Sequence, residues 1–124
     1  MPTFCTAINC MDGRVQTPVI AFLRQRFNAD YVDMITEPGP NGILAAGEDA
    51  ATVESILRRV LLSVEKHGSV GVAVVGHHDC AGNPGPKDEQ LAQVRKAKAL
   101  LREYFQNPIV IGLWVDVDWQ AHEV

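Results

Sequence analysis

The sequence has little positive charge, no long hydrophobic run and few cysteines. Its 11 lysine and arginine residues are outnumbered by 15 aspartate and glutamate residues, which gives a formal charge of -4 over 124 residues. Phosphate binding needs clustered positive charge, so we expect no nucleic-acid partner. The densest basic group, Arg95, Lys96 and Lys98, is better explained as the solvated face of a helix.

A membrane-spanning helix needs about 20 consecutive apolar residues, and no run in this sequence approaches that length. The first residues, MPTFCTAINCMDGR, have neither the basic start nor the long apolar core of a signal peptide. We therefore expect no membrane association and a cytoplasmic location. The cysteines number three, and an odd number favours free thiols or metal ligands over a disulfide framework.

Apolar strand-like segments alternate with helical patterns along the chain. Strands are predicted at TFCTAIN (3–9), YVDMIT (31–36), VGVAVVG (70–76) and IVIGLWV (109–115). Helices are predicted from Thr17 to about Phe27, from Glu48 to His67 and from Asp88 to Phe105. The prolines and glycines of EPGPNG (37–42) cannot continue a strand, so a loop is predicted there.

This alternation predicts the fold class. Apolar residues recur at steps of three and four in the helical segments, and the third strand is apolar on both faces, as in the centre of a parallel sheet. We expect a single α/β domain over residues 1–124, with a mainly parallel four-stranded sheet in the order 2-1-3-4 and helices on both faces.

Two polar clusters follow the first and third strands, where ligands gather in open sheets of this kind. The segment NCMDGR places Cys10, Asp12 and Arg14 after the first strand, and AVVGHHDCAG places His77 and Cys80 after the third. The first and third strands can be neighbours, so these residues can meet. Two thiolates and an imidazole are sufficient ligands for a zinc ion that keeps its fourth position open.

The order Cys-x-Asp-x-Arg and then Gly-His-x-x-Cys, each at the end of a parallel strand, resembles the β-class carbonic anhydrases. The similarity covers nearly the whole chain and includes the segments YVDMITEPGPNG and GLWVDVDWQAHEV. The resemblance implies that Cys10, His77 and Cys80 are zinc ligands. It also implies that Asp12 and Arg14 are the catalytic pair.

The resemblance further implies the activity: reversible hydration of carbon dioxide to bicarbonate by a zinc-bound hydroxide, the reaction of a carbonate dehydratase, which is a lyase. Asp12 is suited to accept a hydrogen bond from that hydroxide, and Arg14 can keep Asp12 ionised. A second, closed state is also implied, in which Asp12 binds zinc as its fourth ligand. The family resemblance and the apolar closing strand favour a homodimer or a higher homo-oligomer.

Two other functions fit the same residues. The segment TEPG (36–39) stands where the family commonly has an arginine and an asparagine, so a zinc hydrolase of carbonyl sulfide or carbon disulfide is one alternative. The other is a non-catalytic zinc-binding protein in which Asp12 is a permanent fourth ligand. The first alternative changes the substrate, and the second removes the reaction.

Some residues near these motifs are ambiguous. His78 is a candidate proton shuttle because imidazole titrates near neutral pH, although a partly exposed residue at a strand end is the simpler explanation. Cys5 is expected to pack in the core. Trp114 and Trp119 are expected to be core or interface aromatics, and His122 is expected on the surface.

Overall fold

Five strands form one sheet. In the computed structural model, which describes residues 1–124, they are β1 (Phe4–Cys10), β2 (Tyr31–Glu37), β3 (Gly71–His77), β4 (Ile109–Val115) and β5 (Ala121–Glu123). The strand order is β2-β1-β3-β4-β5; the first four strands are parallel and β5 is antiparallel to β4. The predicted α/β fold and the predicted order of the four parallel strands are confirmed.

Four helices connect the strands. They are α1 (Gln16–Arg26), α2 (Pro40–Ala46), α3 (Ala50–His67) and α4 (Lys87–Tyr104), and a short 3-10 turn, Gly13–Val15, precedes α1. Asp49 caps α3 by accepting a hydrogen bond from the Thr52 backbone N–H, and Gly68 ends the helix in a left-handed conformation. None of the helices combines the length and apolar character that crossing a membrane requires.

The helices cover both faces of the sheet. Alternate residues of β3 point to opposite sides, so Ala73 belongs to one buried cluster and Val72 to the other. Leu23 of α1 packs in the first cluster, whereas Ile56 of α3 and Leu101 of α4 pack in the second. The result is the three-layer arrangement in which a parallel sheet is buried on both sides.

Two elements were not predicted. The segment 37–42 is not a loop throughout: β2 continues to Glu37, and α2 begins at Pro40, where a proline is tolerated because its missing N–H is not needed in the first turn. The strand β5 is only three residues long, too short for an alternating pattern to be recognised. Helix α1 also begins at Gln16, before the predicted cap at Thr17.

The topology creates a crevice at one edge of the sheet. β1 is followed by β2 on one side and β3 is followed by β4 on the other, so the connections that leave β1 and β3 lead to opposite sides of the sheet. In open α/β sheets, ligands bind at such a switch point, outside the carboxyl ends of the strands. The β1–β3 register pairs Ile8 with Val74, and continuing it by two residues puts Cys10 level with Gly76, beside His77.

Candidate metal centre

Three side chains that can bind metal converge at this switch point. Cys10 is the last residue of β1, His77 is the last residue of β3, and Cys80 follows three residues later. Their ligand atoms all lie within 4.8 Å of one another, and the three residues are buried. The structure therefore brings together the three residues that the sequence predicted as ligands.

The spacing and the donor atoms fit a tetrahedral zinc site. Two sulfurs each about 2.3 Å from one zinc ion lie about 3.8 Å apart at the tetrahedral angle; the Sγ atoms of Cys10 and Cys80 are 3.9 Å apart. His77 Nδ1 lies 2.7 Å from the His78 carbonyl oxygen, so Nδ1 carries the proton and donates it. His77 Nε2 is buried without a hydrogen-bond partner, which leaves its lone pair available to a metal.

The three cysteines differ in the pKa of their thiols. Burial opposes ionisation of Cys10, yet its pKa is lowered because the His77 imidazole lies next to it. The nearby backbone N–H groups of Asp12 and Gly39 lower the pKa of the Cys10 thiol further. Burial and the nearby Cys10 thiol raise the pKa of Cys80. Cys5 lies outside the cluster, and burial raises the pKa of its thiol to about 11, as expected for a core residue.

Asp12 and Arg14 form a multiply bonded ion pair beside the cluster. Arg14 Nη2 donates to Asp12 Oδ2 at 2.7 Å, and Arg14 Nε donates to Asp12 Oδ1 at 3.1 Å. Arg14 Nη2 also donates to the Asp79 carbonyl oxygen at 3.1 Å. The guanidinium lowers the pKa of the Asp12 carboxyl to about 2, so Asp12 stays ionised throughout the neutral pH range.

A glutamine that the sequence did not point out holds the backbone of this segment. Gln16 Nε2 donates to the carbonyl oxygens of Cys10 at 2.7 Å and Asp12 at 2.9 Å. The Asn9 side chain accepts a hydrogen bond from the Cys10 backbone N–H at 2.9 Å. These contacts fix the turn between β1 and α1, and with it the positions of the Cys10 sulfur and the Asp12 carboxylate.

The loop that carries Cys80 is clamped against the segment after β2. A Cβ added at Gly39 would lie 2.3 Å from Asn83 Cβ, and one added at Gly82 would lie 2.5 Å from Pro38 Cβ. The backbone N–H groups of Asn83 and Gly82 lie near the Cys80 sulfur and partly offset the rise in the pKa of its thiol. Glycine at these two positions therefore permits the close approach that places N–H groups around both sulfurs.

Gly39→Ala tests this clamp. Gly39 has φ +66 and no room for a Cβ, so we expect the variant to lose about 2–5 kcal/mol of unfolding free energy and to retain metal less tightly. Gly47→Ala is the matched control, because Gly47 has φ +68 but nothing within 4 Å of an added Cβ. It is expected to lose only about 1–2 kcal/mol and to keep its metal. Urea unfolding measures the free energy of unfolding, and competition with a chelator measures the metal affinity. Equal losses of both quantities in the two variants would contradict the close contact between the two segments.

A small cavity opens beside the cluster. It has a volume of about 200 Å³ and is lined by Cys10, Met11, Asp12, Pro38, Ala81 and Gly82. A larger groove of about 730 Å³ lies between α3 and the C-terminal end of α4, and its lining includes no cysteine or histidine. Cys80 also lines another cavity of about 320 Å³, together with His78, Asp79, Trp114 and residues 84–87, so two cavities adjoin the three metal-binding residues.

The remaining predicted residues lie around the centre. His78 is exposed, with its ring centroid 6.1 Å from that of Trp119. Trp114 is buried, as expected, whereas Trp119 is half-buried with Arg14 Cζ 4.3 Å from the centre of its ring. His122 is exposed and bonds to Asp116. The contact between Trp119 and Arg14 was missed, because no pattern in the sequence connects residues so far apart.

The fold and the site define a class: α/β proteins with two thiols and one imidazole at the switch point of a parallel sheet. The sequence profile of a family described as "Putative carbonic anhydrase" matches residues 1–124. The chain belongs to this family, which confirms the resemblance to the carbonic anhydrases. No curated protein sequence matches the chain.

Solved structures show the same fold. The crystal structure of a carbonic anhydrase from Streptococcus mutans superimposes with a TM-score of 0.65 at 20% identity, over 100% of this chain and 85% of that one. A carbonic anhydrase from Glaciozyma antarctica gives a TM-score of 0.57 at 16% identity, over 95% of this chain and 80% of that one. At these identities the similarity concerns the fold.

Proposed function

We propose that the protein catalyses the reversible hydration of carbon dioxide to bicarbonate, with zinc held by Cys10, His77 and Cys80. The observation that carries the proposal is the convergence of these three ligand atoms within 4.8 Å. The Asp12–Arg14 ion pair lies beside them. Membership of the carbonic anhydrase family supports the same reaction.

The three ligands leave room for one more group on a tetrahedral ion. When bound, zinc supplies a Lewis acid that makes water nucleophilic near neutral pH. Two thiolates and a neutral imidazole cancel the charge of the ion, so this site acidifies water less readily than three histidines would. Backbone N–H groups near both sulfurs partly offset the negative charge that the thiolates present. They therefore favour acidification of the water.

Asp12 directs the nucleophilic water. The carboxylate is ionised and accepts hydrogen bonds from three N–H groups of Arg14, which leaves about one lone-pair site to accept a hydrogen bond from water. Holding that O–H bond in one direction aims a lone pair of the water oxygen into the cavity, where the carbon of the substrate is attacked. Because Arg14 holds the Asp12 carboxylate, this arrangement supports an open fourth position rather than permanent ligation by Asp12.

The cavity lined by Cys10 and Asp12 suits a small substrate. Its volume of about 200 Å³ and its mainly apolar walls, which include Met11, Pro38 and Ala81, suit an uncharged linear molecule. Carbon dioxide fits this description, and so do carbonyl sulfide and carbon disulfide. The wall formed by Pro38 belongs to the TEPG segment, so this segment is where a change of substrate would arise.

The reaction is tested by stopped-flow carbon dioxide hydration on protein of measured zinc content. We expect turnover that falls at least about 100-fold when zinc is removed with a chelator and returns when zinc is restored. Carbonyl sulfide and carbon disulfide are assayed in parallel. Turnover of carbonyl sulfide or carbon disulfide without turnover of carbon dioxide would show that the protein is the alternative hydrolase. A folded, zinc-loaded protein that turns over none of the three molecules would refute catalysis.

Three finer expectations remain predictions. The homodimer is tested by light scattering over micromolar concentrations. If His78 is a proton shuttle, the activity of a His78→Ala variant should depend on the buffer concentration. The cytoplasmic location is tested by locating the protein in the cells that produce it.

A further inference from the structure

Trp119 has an unusual backbone conformation. Its φ is +59, in the left-handed region that bulky side chains rarely adopt. It lies in the turn between β4 and β5, where a glycine or an asparagine would be the ordinary choice. Such strained residues cluster at functional sites and persist only where the surrounding structure enforces them.

The turn enforces this conformation through Asp116. The Asp116 backbone carbonyl accepts from the Trp119 N–H at 3.0 Å, and its backbone N–H donates to the Gln120 carbonyl at 3.0 Å. The Asp116 carboxylate accepts from the backbone N–H groups of Asp118 at 2.9 Å and Gln120 at 3.0 Å. His122 Nε2 lies 2.6 Å from the same carboxylate. The backbone conformation at Trp119 is therefore held by the hydrogen bonds of the turn.

The indole ring faces the site. Arg14 Cζ lies 4.3 Å from the ring centre, within the range of a cation–π contact, and tryptophan is the strongest partner for such a contact. The centroid of the His77 ring lies 6.5 Å from that of the Trp119 ring. Trp119 also packs against the apolar core on one face of the sheet, which includes the side chains of Cys10 and Cys80.

Arg14 is consequently held from three directions. Asp12 binds the Nε and Nη2 edge, Asp79 binds Nη1 at 3.3 Å and Nη2 through its carbonyl oxygen, and Trp119 covers the face. The Arg14 side chain is nevertheless 45% exposed. Ion pairs at such exposure are weak and mobile unless something fixes their geometry. The Trp119 ring is suited to that task because it removes water from one face of the guanidinium.

We propose that Trp119 is a positioning residue that fixes Arg14 and, through Arg14, holds the Asp12 carboxylate in its orientation beside the Cys10–His77–Cys80 cluster. The catalytic consequence rests on the proposed function. The positioning itself is a property of the metal-free chain and is measured without zinc.

The first measurement is exchange of the Arg14 Nε proton with water, followed by nitrogen-15 NMR on metal-free protein. Trp119→Gly removes the ring and relieves the backbone, and we expect it to accelerate this exchange about tenfold. Trp119→Phe keeps an aromatic face and is expected to remain within about threefold of wild type. Asn28→Gly is the matched control, because Asn28 also has a positive φ of 49 but lies outside the site; no change is expected.

The second measurement is carbon dioxide hydration by the zinc-loaded variants. We expect kcat/KM to fall about tenfold in Trp119→Gly at unchanged zinc content, and to be largely restored in Trp119→Phe. If Trp119→Gly does not fold, Trp119→Leu, which lacks an aromatic face, takes its place with the same expectation. If the Arg14 Nε proton exchanges at the wild-type rate in the folded Trp119→Gly or Trp119→Leu variant, the proposal is overturned. Accelerated exchange together with an inactive wild type would refute the hydration reaction and still support the positioning.

Discussion

Replacing Cys10 with alanine is expected to lower the zinc content from about one ion per chain to almost none, and to reduce carbon dioxide hydration at least about 10³-fold. Only Cys80 and His77 would remain as protein ligands, and two ligands do not make a stable zinc site. The loss of metal should also lower the thermal stability of the zinc-loaded protein, because zinc bound only to the folded state stabilises it. Zinc content is measured by atomic emission, and stability by thermal unfolding.

Cys5→Ala is the matched control for this experiment. Cys5 lies in the same strand as Cys10 and is fully buried, but it packs in the core and is not part of the cluster. The loss of one buried sulfur is expected to cost about 1 kcal/mol of unfolding free energy, with zinc content and activity unchanged. A Cys10→Ala protein that keeps stoichiometric zinc would exclude Cys10 as a ligand.

The fold was largely predictable because its signals are local. The three- and four-residue spacing of apolar residues in α3 and the strand β3 that is apolar on both faces each indicate an element without knowledge of the rest of the chain. The elements that were missed depend on tertiary contacts. The strand β5 exists because Trp114 and Val115 of β4 provide an edge for His122 and Ala121 to pair with, and three residues carry too little pattern to reveal this.

The candidate site was predictable for a related reason. Cys10 and His77 end two parallel strands, and the carboxyl ends of neighbouring strands must meet at one edge of the sheet. The N–H groups of Gly39 and Asn83 and the ring of Trp119 could not be predicted in this way. Their contribution arises from backbone conformation and close packing, which leave no distinctive residue types in the sequence.

Asp12→Asn separates catalysis from metal binding. We expect zinc content and zinc affinity to remain within about threefold of wild type, because Asp12 is paired with Arg14 and is not needed as a ligand. Carbon dioxide hydration is expected to fall about 10²–10³-fold, since a neutral amide lacks the charge that makes the carboxylate a strong hydrogen-bond acceptor for the attacking water. Asp88→Asn, an exposed aspartate in the first turn of α4, is the control and should retain full activity.

The same variant distinguishes the catalytic protein from a purely structural zinc protein. If Asp12 is a permanent fourth ligand, its replacement must weaken zinc binding by about 10-fold or more, and activity would be absent in wild type as well. If Asp12 directs the reaction, the Asp12→Asn variant should keep the zinc affinity of wild type and lose turnover. The folded pKa of Asp12 is about 2, so the carboxylate is ionised at every pH of the assay. Any pH dependence of turnover therefore originates elsewhere in the site, and protonation of Asp12 cannot imitate the effect of the substitution.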